Sequence, residues 1–197
     1  MSALARPRGL PDKAMPQLDP ESEALKRELG EAFADVNCPG VGAIADCMDP
    51  VEAERSRALL GGKRWEDWKD RPLEALADGI HMTQLSFITD WVFHYYLPLY
   101  MLTAALDCDE ADVLPDDLIG ALTRPEKQED PAWFERFLKR FDERFSDFTP
   151  RQLKAILSFL AFMKKRHYQA EHLEGWRRNA DRATASIQAL LHERTKE

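Results

Sequence analysis

Hydrophobic residues recur at intervals of three and four along most of the chain, which is the spacing of one face of an α-helix. Near the start, Leu25, Leu29 and Phe33 lie at positions i, i+4 and i+8. Asp19 precedes Pro20, and this pair is typical of a helix start because the acid caps free backbone N–H groups while proline fits the first turn. The pattern therefore predicts an amphipathic helix that begins at Pro20.

Similar signals divide the rest of the chain into further helices. Thr149-Pro150-Arg151-Gln152 is a capping box, and it opens the most regular pattern, which should extend at least to Tyr168. Gly175 is expected to break or weaken the helix before the last periodic segment. Helices are predicted at about residues 50–60, 72–77, 114–122, 133–145, 150–168 and 176–190, with Trp65 and Trp68 stapling a short connection to the core.

The segment from Phe87 to Leu106 crowds six aromatic residues around Pro98 and carries no formal charge after Asp90. Because apolar residues occupy every face, it predicts a buried helix at the centre of the core. Thr89 or Thr83 could cap this helix, and Pro98 should kink it because proline removes a backbone donor. The charge-free stretch is shorter than the roughly 20 residues that a membrane span needs.

Helices account for this chain better than strands do. Val and Ile together number only eleven, whereas Leu and Ala are plentiful, and sheets favour β-branched residues. A chain of 197 residues fits one domain with one core. We therefore predict a single all-α domain over residues 19–197, an irregular bundle of about six to eight helices, after a flexible lead over residues 1–18.

Charge and cysteine content narrow the classes of function. The 35 acidic and 27 basic residues give a formal net charge of −8, which disfavours attraction to nucleic acid and to anionic membranes. Three cysteines without a close pair favour free thiols in a reducing compartment. No apolar run of signal-peptide length begins the sequence, so we expect a soluble, cytoplasmic protein.

Polar groups within the aromatic segment offer one candidate binding site. His94, Tyr95 and Tyr96 could line a pocket for a small ligand or a substrate. The alternative is that they fill the core and bond to backbone groups, which is the commoner role within an apolar helix. No pattern of nucleophile and base, metal ligands or phosphate-binding glycines accompanies them. We therefore predict no catalytic residue, no metal site and no cofactor.

The densest charge follows the aromatic segment, where the residues from Asp107 to Asp117 hold six carboxylates and no basic group. These acids could form a solvated loop whose last members favour the dipole at a helix start. They could instead form a docking patch, because a cluster of one sign steers oppositely charged partners. A calcium loop is disfavoured because its glycine and its final glutamate are missing. The six acids are Asp107, Asp109, Glu110, Asp112, Asp116 and Asp117.

The C-terminal region has the opposite sign, with eight basic residues against three acids between Arg151 and Arg182. Lys164-Lys165-Arg166 could touch nucleic acid, but the net charge and the lack of a reader motif favour a solvated helix face. The two oppositely charged regions could also attract each other.

Three fragments, taken in order, resemble a known bacterial family. They are Gly62-Lys63-Arg64-Trp65, the stretch from Leu85 to Tyr100, and Phe148-Thr149-Pro150-Arg151-Gln152. The family is the domain of unknown function family 6714, with the pattern G-K-x-W, then F-x-Y-Y-L-P-x-Y, then T-P-x-Q. The resemblance covers about residue 29 to about residue 165 and implies a soluble, mostly helical bacterial protein. It transfers no catalytic residue.

Together these features predict a small acidic interaction protein without catalytic activity, such as an immunity or antitoxin-like inhibitor that docks a basic protein partner. The alternative is a small-ligand-binding protein or enzyme that uses a pocket around His94, Tyr95 and Tyr96. A third candidate is a regulatory module that binds nucleic acid through the basic C-terminal helix, which the net charge disfavours. The sequence carries no sign of the oligomeric state.

Overall fold

The computed structural model describes residues 18–44, 50–76, 85, 88–127 and 130–196. Within these ranges it contains nine α-helices and no strand, which confirms the all-α prediction. The helices are α1 (Pro20–Ala32), α2 (Pro50–Leu60), α3 (Trp65–Trp68), α4 (Pro72–Leu76), α5 (Asp90–Leu106), α6 (Leu114–Ala121), α7 (Pro131–Arg144), α8 (Pro150–Arg166) and α9 (Glu174–Arg194). α3 occupies the predicted connection. Residues 1–17, most of the predicted lead, and the candidate cap Thr83 lie outside the described residues.

Local signals start α1 and α8 where the sequence predicted. The Asp19 carboxylate accepts the backbone N–H groups of Glu21 and Ser22 at the start of α1. Thr149 and Gln152 form the predicted capping box of α8, each side chain accepting a backbone N–H of the other. Such caps satisfy donors that the first turn leaves free and are worth about 1 kcal/mol each.

The central helix is α5, which begins when Thr89 accepts the backbone N–H of Val92. The helix continues through Pro98, and every residue from Val92 to Ala105 except His94 is buried. This burial on all sides confirms the predicted place of the aromatic helix in the core, while the kink at Pro98 stays a prediction. α1, α3, α4, α6, α7 and α8 all contact α5.

Helix α8 packs against α1 and α9, and ion pairs fasten it to α1. The pairs are Arg166–Asp19 (2.6 Å), Lys165–Glu21 (2.9 Å) and Arg151–Glu31 (3.1 Å). They join the start of each helix to the end of the other, so α1 and α8 run antiparallel. The basic residues of α8 therefore attract α1, and in the described part of the chain they do not pair with the acidic segment after α5.

Two predicted boundaries in the C-terminal half are wrong. α8 ends at Arg166 and does not reach Tyr168, because His167 is the C-cap and its Nε2–H donates to the carbonyl of Ala105 at 2.9 Å. The break before the last helix falls at residues 167–173, and Gly175 lies inside the first turn of α9. A contact between distant parts of the chain thus ends α8, and local sequence patterns do not contain that information.

Candidate functional site

The acidic segment forms a turn between α5 and α6, here called the acidic turn (residues 107–117, which include the first turn of α6). Asp107 caps α5, and its backbone carbonyl accepts the N–H groups of Glu110 and Ala111. Its half-buried carboxylate accepts the backbone N–H of Leu73, and burial raises the pKa of Asp107. Asp112 continues the turn in the left-handed region, with φ of 50°. Asp107 therefore stabilises the turn from inside.

Four carboxylates of the acidic turn are exposed. They belong to Asp109, Glu110, Asp112 and Asp117. Asp109, Glu110 and Asp117 make no ion pair with any basic residue that the structure describes. Carboxylates crowded on one turn repel one another, so the acidic turn keeps a negative potential that an approaching cation would relieve.

Asp116 lies deeper than Asp117, the other acid of α6. Burial and the neighbouring charge of Asp117 raise the pKa of Asp116 to about 6. Cys108 is close to Asp116. Burial, and to a smaller extent the charges of nearby acids, raise the pKa of the Cys108 thiol to about 11. The hydroxyl of Tyr168 is buried beside them without a hydrogen-bond partner among the described residues. Titratable groups perturbed by burial and by a specific neighbour are common at functional sites.

Two grooves flank α6, and both are lined by Asp116, Gly120, Thr123 and Pro125. The α6/α7 groove has a volume of about 370 Å³, and its other lining residues include Asp117, Phe137, Arg140, Phe141 and Arg144. The α6/α9 groove has a volume of about 630 Å³, and its other lining residues include Arg124, Trp133, Trp176, Asn179 and Arg182. Because both contain Asp116, the acidic turn is continuous with the walls of the two grooves.

Trp133 and Phe137 form an exposed aromatic pair on α7. Their rings stack with centroids 4.2 Å apart, and the residues remain 37% and 36% exposed. Trp133 lines the α6/α9 groove and Phe137 lines the α6/α7 groove, so the pair stands beside both. Large aromatic side chains left in water next to a groove are typical of binding surfaces.

Sequence reasoning missed this pair as a surface feature. The hydrophobic stripe of α7 predicted the helix correctly, but only its C-terminal end, with Phe141 and Phe145, is buried. Charged residues flank both halves of the stripe in the same way, so no local signal separates them. The packing of α7 on α5 decides which half is covered.

Three arginines around the two grooves have acidic partners. The pairs are Arg124–Asp142 (3.1 Å), Arg144–Asp90 (3.0 Å) and Arg182–Glu126 (2.8 Å). Two further pairs in the C-terminal helices are Lys164–Asp181 (3.0 Å) and Arg178–Glu174 (3.3 Å). Much of the positive charge in this half of the chain is therefore compensated by acids within the chain. The negative charges of Asp109, Glu110 and Asp117 have no such compensation among the described residues.

The two candidate tyrosines of α5 bond within the core. The Tyr96 hydroxyl lies 2.8 and 2.6 Å from the carbonyls of Leu60 and Lys63, and the Tyr95 hydroxyl donates to the Glu66 carboxylate at 2.7 Å. Burial raises the pKa of both tyrosines. These bonds tie the chain before and within α3 to the central helix, so the first two fragments of the family resemblance contact each other.

The third candidate, His94, joins α5 to α8. Its ring stacks on Phe148 with centroids 4.2 Å apart, and its Nε2 lies 2.9 Å from Oε1 of Gln152. The same Oε1 accepts the backbone N–H of Thr149, so it is the amide oxygen, and Nε2 of His94 must carry the proton. Burial lowers the pKa of His94. Neither His94 nor the two tyrosines line the grooves beside α6.

Metal-ligating groups and membrane-spanning helices are both absent from the described part of the chain. It contains no group of three or more His, Cys, Asp or Glu side chains placed to hold a metal ion. No helix there combines the length and the hydropathy of a membrane span. Cys38 is an exposed free thiol and Cys108 a half-buried one, while Cys47 lies outside the described residues.

Comparison with known proteins gives one match. A family model described as a family of unknown function, DUF6714, matches residues 21–186. No curated protein and no solved structure matches the chain. The matched range includes all three fragments that carry the resemblance noted in the sequence.

Proposed function

The chain belongs to DUF6714, a family of unknown function, and from its surface we propose that it is an acidic interaction protein that docks a basic segment of a protein partner. The surface we assign to this role is here called the docking face. It consists of the acidic turn, α6 and the Trp133–Phe137 pair. No residue of the docking face is assigned a catalytic role.

The proposal rests on a difference in ion pairing between the basic residues of the C-terminal helices and the acids of the acidic turn. Basic residues of α8, of α9 and of the groove edges bind acids within the chain. Asp109, Glu110 and Asp117 make no ion pair with the described residues. A basic segment would relieve their mutual repulsion and would be steered toward them, whereas nucleic acid would meet like charge.

The aromatic pair supports a protein partner in preference to a free cation. Trp and Phe are enriched at the centres of protein interfaces, where they contribute most of the binding energy. Stacking already orders the rings of Trp133 and Phe137, so binding would cost little further side-chain entropy. A basic amphipathic segment could place apolar side chains on this pair and cations on the acidic turn.

Two features of α6 lower stability and at the same time shape the docking face. Asp116 ionises only above its raised pKa of about 6, so its charge at neutral pH opposes folding. Gly120 lies within the helix, where glycine costs about 0.5–1 kcal/mol relative to alanine, although a Cβ there would meet nothing within 4 Å. The fold does not require Asp116 or Gly120, and both line the grooves beside α6. Residues that lower stability in this way are typical of binding surfaces.

An immunity or antitoxin-like role, a bacterial origin and a cytoplasmic location stay predictions, as does the ligand-binding alternative. The geometry favours docking over that alternative, because His94, Tyr95 and Tyr96 are engaged with groups of the core.

The proposal can be tested by titrating the protein with a synthetic amphipathic helix that carries Lys and Arg on one face and Leu on the other. We expect binding that weakens as salt is added. The triple variant Asp109→Asn, Glu110→Gln, Asp117→Asn should bind about tenfold more weakly, because three surface contacts of about 0.5 kcal/mol each are lost.

A charge-matched control separates the docking face from net charge. Asp35→Asn, Glu54→Gln, Glu193→Gln neutralises three exposed acids elsewhere and changes the formal net charge from −8 to −5, as the first triple does. The control should bind like the wild type. Equal weakening of both triples, or binding insensitive to salt, would contradict the proposal.

A further inference from the structure

A third groove lies between α1 and α3, and it shares no residue with the docking face. Its volume is about 480 Å³, within the range of small-molecule sites. The lining residues are Lys26, Arg27, Gly30, Glu31, Ala34, Trp65, Glu66 and Lys69. In a chain with a formal net charge of −8, three of these eight are basic.

Two cations at this groove have no acidic partner among the described residues. Lys26 pairs with Glu23 and Asp70, and the acid Glu31 pairs with Arg151. Arg27 and Lys69 form no ion pair within the described ranges. The charge left over at this groove is therefore positive, which is the opposite of the acidic turn.

One wall of the groove contains a buried donor without an acceptor. Trp65 is only 1% exposed, and its indole Nε1–H has no hydrogen-bond partner among the described residues. An unpaired buried N–H costs about 1–3 kcal/mol, so its persistence calls for an explanation. An acceptor oxygen on a bound molecule would supply the missing partner after a small movement of the wall.

The neighbouring wall residue is fixed in place. The Glu66 carboxylate accepts the Tyr95 hydroxyl at 2.7 Å, and Tyr95 is fully buried in α5. Glu66 is thereby occupied by the core and lies 3.8 Å from Arg64. Its charge is partly compensated, and it does not cancel the two free cations.

A glycine in α1 keeps the groove open. A Cβ on Gly30 would meet nothing within 4 Å, and no unusual backbone angle requires glycine there. Alanine at this helical position would be more stable by about 0.5–1 kcal/mol. Every described glycine inside an α-helix, namely Gly30, Gly120 and Gly175, lines one of the three grooves.

We propose that the groove between α1 and α3 binds a small molecule through an anionic oxygen group, a carboxylate or a phosphate, held by Arg27 and Lys69 beside Trp65. The inference is independent of the docking face and of the proposed function. Arginine and lysine both bind such groups by charge-assisted hydrogen bonds, and arginine can do so with two parallel bonds.

The test uses the isotope-labelled full chain, titrated separately with inorganic phosphate and with succinate and followed by amide NMR shifts. One or both anions should give saturable shifts in α1 and α3, and the arm that saturates identifies the anionic group. The variant Arg27→Gln, Lys69→Gln should raise the dissociation constant at least tenfold. The control Lys139→Gln, Arg178→Gln removes the same charge from exposed sites elsewhere and should leave it within twofold.

A second variant tests the shape of the groove without changing its charge. Gly30→Leu fills the open space beside α1, so it should abolish the saturable shifts while the protein unfolds at a denaturant concentration at least as high as before. The proposal is overturned if neither anion gives saturable shifts in α1 and α3, if the charge control loses as much affinity as Arg27→Gln, Lys69→Gln, or if Gly30→Leu binds normally.

Discussion

Replacing Gln152 with methionine tests whether the polar groups of the aromatic helix serve packing. Methionine keeps the length of the side chain but removes the oxygen that accepts two hydrogen bonds. One comes from the Thr149 backbone N–H and the other from Nε2 of His94, each at 2.9 Å. Gln152 is itself buried, so no water can take the place of this oxygen beside His94 without entering the contact between α5 and α8.

The structure sets the expected loss of stability. Thr149 is exposed, so water can satisfy its N–H, and losing this half of the capping box should cost about 0.5–1 kcal/mol. The His94 ring lies between Phe148 and Phe33, at centroid distances of 4.2 and 6.0 Å, and leaving its donor unpaired should cost about 1–2 kcal/mol. The total of about 1.5–3 kcal/mol is a large part of the 5–15 kcal/mol typical of a domain.

The assay is urea unfolding at pH 7.5 in a double-mutant cycle with His94→Phe. In the His94→Phe background the donor is absent, so Gln152→Met should cost about 1 kcal/mol less than it does alone. Gln152→Glu is the matched control, because its carboxylate can accept both bonds and should raise the pKa of His94. A loss below about 0.5 kcal/mol for Gln152→Met, or additive effects in the cycle, would refute this account of His94.

The pH dependence of stability tests the burial of His94 between α5 and α8 in a second way. Burial lowers the folded-state pKa of His94, so below the ordinary histidine pKa of 6.5 the unfolded chain binds more protons than the folded protein. Stability should therefore fall as the pH drops from about 6.5 toward the folded-state pKa. His94→Phe should remove this part of the pH dependence.

Three further predictions concern the docking face and the packing beneath it. The folded-state pKa of Asp116 is about 6, above the unfolded value of 3.8, so the protonated carboxyl favours folding. Its contribution to the free energy of unfolding is fully present below pH 3.8 and is lost as the pH rises through 6. Asp116→Asn should therefore raise the free energy of unfolding at pH 8 by about 1 kcal/mol, a figure reduced for solvent screening, and by almost nothing at pH 3.5 in urea titrations. Asp90→Ala should cost about 2 kcal/mol, because it leaves Arg144, only 9% exposed and 4.5 Å from the Phe93 ring, without its ion-pair partner. This is less than for a fully buried pair, because the Asp90 side chain is 44% exposed. Arg144→Met in the same background should recover much of that loss. Gly120→Ala should raise stability by about 0.5–1 kcal/mol and leave binding of the basic peptide unchanged, whereas Gly120→Leu should weaken that binding by narrowing both grooves.

Much of the fold follows from local signals in the sequence. The caps at Asp19 and Thr149 satisfy backbone groups within their own first turns, so the chain near each cap contains the information that starts the helix. The all-round apolarity of the aromatic segment likewise identifies the buried helix. The predicted end of α8 was wrong because the true end depends on the hydrogen bond between His167 and the carbonyl of Ala105, which lies far away in the chain.

Less of the candidate site can be predicted in this way. Sequence identifies the acids of the acidic turn, but not that Asp107 bonds to Leu73 while Asp109 remains exposed. It identifies the stripe that contains Trp133, but not that Trp133 stays exposed while Phe141 in the same stripe is buried. Whether a charge is compensated, and whether an aromatic ring is covered, depend on residues far away in the chain.

Amide NMR mapping of the amphipathic basic peptide on the labelled protein decides whether the docking face binds basic protein segments. If it does, the shifts will be concentrated in residues 107–121 and 131–141, with those of Trp133 and Phe137 among the largest. These shifts will also shrink as salt is added. Shifts spread evenly over the surface, or centred on α1 and α3, would show that the docking face is not the binding surface.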